Sequence, residues 1–298
     1  MDVVQQDLKE VSVLNIRIKF QKYGVMKFIG HLDIMRYFQK AMRRAGIDIA
    51  YSEGFSPHQI MSFAAPLGVG ITSDGEYLDI EVKSTASSKA SIDALNQVMV
   101  EGISVLEYKK LPDMAKTSMA LVAAADYIIY IKEGYRNPFN FKELEARLSD
   151  FCQQPEILIT KKTKKSETLM DIKPFLYDMR AVNLEDKETL SRLNVKNPDM
   201  QALSGAAFFL RVCTGSSTNI KPELVLEAFY HFCALSYEAQ AFQIHRLEVY
   251  ASSEEIPVKG EKEREEYVKQ LERQKTDYQK KGMAFPAFFT LGELGEDI

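Results

Sequence analysis

The chain has 298 residues, of which 46% are hydrophobic and 27% charged, with a formal net charge of −4. That apolar share excludes a disordered chain and suits two ordinary cores. The acidic balance excludes nucleic-acid binding by bulk charge, so any contact with a polyanion has to come from a local patch.

The first ordered segment is expected at 16–22, where Ile16, Ile18 and Phe20 alternate with Arg17, Lys19 and Lys22. This is a half-buried strand with a basic outer face. A helix follows over 31–45, with Ile34, Phe38, Ala41, Met42 and Ala45 on one stripe and Gly46 as its stop. The stretch YSEGFSPHQI reads as a loop. Strands are expected at 60–67 and 76–82 around a turn at Ser73-Asp74-Gly75, then a helix over 88–100 and a strand ending before Pro112. The order is βαββαβ, the ferredoxin-like plan.

The same order recurs. Strands are expected at 126–133, 156–160, 206–212 and 241–251, with helices over 139–152 and 221–234. An insertion, 161–200, separates the second and third strands. Residues 252–298 are charged and helix-favouring, then aromatic around Phe285, Phe288 and Phe289. The reading is therefore an α+β chain of tandem ferredoxin-like domains with antiparallel sheets, at 14–112 and 120–251. A charged helix and docking tail at 252–298 follow. Docking onto the chain itself or onto a partner both fit the tail.

Cys152, Cys213 and Cys233 are odd in number and lack metal-ligand spacing, so no metal, iron–sulfur cluster or other cofactor is expected. The N-terminal residues lack the basic and apolar regions of a signal peptide, and no apolar run reaches membrane-spanning length. A cytoplasmic protein is expected.

Charge is the clearest chemical signal. Residues 16–44 hold eight cations (Arg17, Lys19, Lys22, Lys27, Arg36, Lys40, Arg43 and Arg44) and one acid, Asp33. Arg36, Lys40 and Arg43 fall on one helix face, a geometry suited to phosphates. Ser52, Ser56 and His58 add anion-binding groups, and Phe55 a ring for a base. Lys161, Lys162, Lys164 and Lys165 form a second basic run. His31, Asp33 and His58 are the candidate catalytic set, through a His acting as general acid or base. The favoured reading is structural, with His31 and Asp33 fixing a helix terminus and His58 ordering its loop by hydrogen bonds.

The string KYGVMKFIGHLDIMRYFQKAMRRAGIDIAYSEGFSPHQIMSFAAPLGVGITSDGEYLDIEV resembles the signature of the radical-SAM-linked protein family. The matching positions include Gly24, Lys27, Phe28, His31, Leu32, Asp33, Arg43, Arg44, Tyr51, Ser52, Gly54, Phe55, Pro57, His58, Glu76 and Tyr77. Lys40-Ala41 stands where the family has Arg-Ala. The resemblance implies a partner, a radical SAM protein with a cobalamin-binding domain, and tilts the substrate toward RNA. The CxxxCxxC motif is absent from this sequence, so the iron–sulfur chemistry would be the partner's. The leading expectation is thus an accessory, substrate-binding protein rather than an enzyme. The alternative is a metal-independent endoribonuclease using His31 or His58, similar to CRISPR repeat-processing endoribonucleases. A purely structural subunit is the third option.

Overall fold

The computed structural model describes residues 13–162, 167–200, 203–215 and 218–298. The expected alternation builds β1 (Leu14–Lys22), whose Ile16, Ile18 and Phe20 are fully buried. The apolar stripe of α1 (His31–Arg44) packs on them through Ile34, Phe38 and Met42. β2 (Met61–Phe63) and β3 (Thr72–Val82) follow. Next come α2 (Ser88–Val98), capped by the Ser87 side chain, and β4 (Ile103–Lys110). A single turn, α3 (Ser118–Leu121), leads into the second half.

That half contains β5 (Val122–Ile131) and α4 (Phe141–Gln153), whose start is fixed by a capping box between Asn140 and Glu143. The hairpin β6 (Leu158–Lys162) and β7 (Glu167–Asp171) comes next, then β8 (Leu176–Asn183) and the short α5 (Lys187–Arg192). β9 (Ala206–Cys213), α6 (Pro222–Phe232) and β10 (Phe242–Ser252) complete it. The chain ends with α7 (Glu261–Lys280) and β11 (Phe288–Thr290).

The architecture is mixed α+β with a mostly antiparallel sheet. The expectation of two separate sheets is corrected: the strands form one nine-stranded sheet, β4-β1-β3-β10-β5-β9-β8, with β2 and β11 paired at its side. The joint is a short parallel pairing, His245 opposite Thr72 and Arg246 opposite Ser73. It forms because β2 covers only the 78–80 part of β3 and leaves the 72–73 part free for β10.

Two other expectations change. Ser73-Asp74-Gly75 is not a turn but lies inside β3. A Cβ on Gly75 would meet Glu248 Cα at 2.6 Å, so glycine here allows β10 to approach rather than the chain to reverse. The 156–160 strand is not in the main sheet; it pairs with β7 in a hairpin, and β8, inside the expected insertion, takes the sheet position beside β9.

In each half the two long helices cover one face. α1 and α2 pack with Ile16, Ile18 and Phe20; α4 and α6 pack with Tyr127, Ile129, Phe208 and Leu210. On the opposite face of the second half, Ile128, Val182 and Phe209 are covered by Leu184, Leu193 and Met200 from the 184–203 segment.

The terminal tail docks on its own chain. β11 pairs with β10 through Tyr250 to Ser252, Leu291 is fully buried, and Glu296 bridges to Lys110. α7 stays at the surface with no buried residue, above a cleft of about 620 Å³ lined by Tyr267, Leu271, Tyr278 and Phe289. No helix among the described residues is long and apolar enough to cross a membrane.

Candidate nucleic-acid interface

The basic residues of 16–44 divide into two groups. Arg17 and Lys19 alternate with the apolar residues of β1, so they point away from α1, onto a face that the tail and the second half cover. Their exposures are 1% and 7%. Arg17 clamps Asp79 with two bonds of 2.8 and 3.0 Å and donates to the Leu291 carbonyl at 3.1 Å. Lys19 donates to Glu248 at 2.5 Å. Both were expected to meet a polyanion; both are instead committed to buried ion pairs. Lys22 is buried too and donates to the Ile29 carbonyl, and desolvation pulls its ammonium below the ordinary value against the attraction of Glu76.

These residues belong to a polar layer between the halves that sequence reasoning missed. Asp74 accepts from Gln21 at 2.8 Å and from the Lys196 and Asn197 amides, and lies 3.1 Å from His245 Nε2. Burial pushes the Asp74 carboxyl up. The bond and charge of His245, with the bonds from Gln21 and Lys196, outweigh that and hold it below its ordinary value. Arg246 donates to Glu76 at 2.9 Å and to the Ala65 carbonyl at 2.7 Å. Tyr77 donates to Glu248 at 2.7 Å. Burial raises the Glu248 carboxyl above its usual range despite Lys19, and raises the Tyr77 hydroxyl well above its own. The one available signal was charged residues inside two strand patterns, EYLDIEV and AFQIHRLEVYA.

The second group stays in water. Arg36, Lys40, Arg43 and Arg44 are all exposed on α1, opposite its buried stripe. Arg36 pairs with Asp33 at 3.1 Å, an exposed contact that a phosphate can replace at small cost. Arg44 donates to the Val98 carbonyl and lies over the Tyr37 ring. Arg43 contacts only its own helix, at the Gln39 carbonyl among the described bonds. Lys27 is half-buried; it donates to Gln243 at 2.9 Å and sits over the Phe28 ring.

His31, Asp33 and His58 do not converge. The His31 ring rests edge-on against Phe63 at 5.1 Å, at the start of α1. His58 lies in the 51–58 loop, where its Nδ1 meets Ser52 Oγ at 2.8 Å and its amide donates to the same oxygen. That loop is pinned at its base by the Tyr51–Gln59 bridge, and it carries Phe55 and Ser56 exposed. Among the described residues no group of three His, Cys, Asp or Glu side chains is placed to hold a metal. Lys161 and Lys162 lie on β6; Lys164 and Lys165 fall outside the described residues.

A search of curated proteins returns no match. The segment 15–222, which runs from β1 through the start of α6 and holds the α1 face, the 51–58 loop and most of the buried layer, matches a bacterial family. The chain belongs to that family, described as an uncharacterized protein conserved in bacteria (DUF2344).

Proposed function

We propose that the chain is an accessory module that binds RNA, or another anionic polymer, and presents it to a partner enzyme in the cytoplasm. The observation that carries this reading is the α1 face, where Arg36, Lys40, Arg43 and Arg44 stand exposed with Asp33 as the helix's one acid. A row of cations on a rigid helix suits a phosphate backbone and needs no bulk positive charge. The partner part of the proposal, a radical SAM protein, rests on the resemblance of the 24–77 string.

The two halves are read as tandem ferredoxin-like units. In support, the sheet order in each is fourth, first, third, second strand: β4-β1-β3-β2 and β10-β5-β9-β8. On this reading the units are joined where β10 pairs the part of β3 that β2 leaves free.

The test is a titration with single-stranded RNA over a salt series. Four phosphate contacts give a slope near −3 in log affinity against log salt, at about −0.7 for each contact. The double change Arg36→Ala, Arg43→Ala flattens it by about 1 to 1.5. Absence of binding at low salt overturns the reading. Recovery of a radical SAM protein from the native cell, with and without ribonuclease, tests the partner.

One observation favours a nuclease as second reading. His58 is exposed, and its Nδ1 is oriented by Ser52, as a general base requires, whereas His31 leans on the core ring Phe63. RNA cleavage without added metal that disappears in His58→Ala would establish it.

A further inference from the structure

Five of the six most exposed large apolar side chains among the described residues lie in the first half, four of them at the corner where α1 begins; the sixth is Leu169 on β7. Val25 is 76% exposed, Phe28 63%, Leu32 61% and Val69 64%, and Phe55 lies fully in water. Large apolar groups left out of a core in such a group mark a contact surface rather than chance exposure. The corner is built, not frayed. The Met26 amide donates to Tyr23 and the Ile29 amide to Met26, which sets the 24–28 turn. The Gly70 amide donates to the Lys27 carbonyl at 2.8 Å, which ties the 68–70 loop to the 24–28 turn. Leu32 lies one helical turn before Arg36, so the apolar cluster runs directly into the cation row of α1.

Phe55 stands on a separate loop of the same half, the 51–58 loop. Its loop is braced by Ser52 and His58, with the Ser52 amide donating to the His58 carbonyl at 2.9 Å. The loop feeds into β2, whose Phe63 carries the His31 ring. Gly54, at φ +104°, makes the bend that presents the ring. Phe28 in turn has the Lys27 ammonium 5.3 Å from its centroid.

We infer that the exposed rings of Phe28 and Phe55 take unpaired bases of a single-stranded nucleic acid while the α1 cations take its phosphates. Exposed ring faces beside cations form the stacking platform that single strands use, and a duplex hides its base faces from such rings. A duplex would meet the same cations but leave Phe28, Leu32 and Phe55 in water. This inference rests on the polyanion reading above and adds the strandedness of the ligand.

The experiment compares a fluorescent oligouridylate with a blunt RNA duplex of equal length, by anisotropy at low salt. The single strand is expected to bind more tightly. Phe28→Ala and Phe55→Ala should each weaken single-strand binding by about 5- to 150-fold, the range of one lost stacking contact, and leave duplex binding unchanged. Phe55→Leu keeps the apolar bulk but removes the ring face, and should lose affinity as the alanine variant does. Both side chains are at the surface, so circular dichroism of all three variants should match the wild type. If single-strand affinity survives these changes while its salt slope remains, the inference fails and the polyanion reading stands; the patch is then a protein-docking surface. Equal binding of duplex and single strand overturns it as well. If neither probe binds at low salt, both readings fall together.

Discussion

Arg17 on β1 and Arg36 on α1 are the same residue type, 19 positions apart in one basic stretch, yet they have opposite fates. Arg17 is sealed between Asp79, the Leu291 carbonyl and the Lys116 carbonyl; Arg36 reaches into water and, among the described residues, holds only Asp33. A cation on a strand alternates away from one core, and its exposure depends on whether something covers the other face. A cation on the outer side of an amphipathic helix stays outside unless a partner arrives. Local charge density therefore overstates a binding patch wherever a sheet has a second face to hide.

The comparison breaks most sharply at the buried member. Arg17→Ala leaves Asp79 charged and unpaired, and should destabilise the fold by about 3–5 kcal/mol, read from urea midpoints. Arg36→Ala should stay within about 0.5 kcal/mol of wild type in the same experiment. Equal losses from the two changes would mean that the α1 face is structural.

The cover can be removed instead of the charge. Leu291 is fully buried and its carbonyl accepts from Arg17. Leu291→Ala should cost about 2–5 kcal/mol through lost burial and the cavity left behind. It should also loosen the tail enough to raise hydrogen exchange in β11.

The polar layer has a pH signature. The Asp74 carboxyl is held below its ordinary value of 3.8, so its stabilisation is complete above that value and fades as pH falls through the lower folded-state value. Asp74→Asn should cost about 1–3 kcal/mol near neutrality, and the gap from wild type should close below about pH 4. A gap that is constant down to acid pH would show that the carboxylate charge is irrelevant.

The smallest effect is expected at the exposed pair. Asp33→Ala removes a surface contact worth about 0.2–1 kcal/mol and should barely move the melting temperature. It should strengthen polyanion binding slightly, because Arg36 loses its competitor.

The amino-acid sequence by itself determined the local elements and the helix surface. Alternation placed β1, the 3.6-residue stripe placed α1, and Pro112 and Gly46 marked ends, because these depend on neighbours within a turn or two. The exposure of Arg36, Lys40, Arg43 and Arg44 follows from the same stripe. β8 was hidden because LYDMRAVN alternates weakly at the sheet's far end, where its outer edge has no strand neighbour among the described residues. Tertiary structure alone decided that Arg17 and Lys19 are buried, since their partners lie 62, 274 and 229 residues away. It alone joined the halves, by bringing His245, Arg246 and Glu248 against Asp74, Glu76, Tyr77 and Lys19. Burial of a charge is stable only with its counter-charge in place, and the residue that supplies it leaves no mark on the local pattern of either strand.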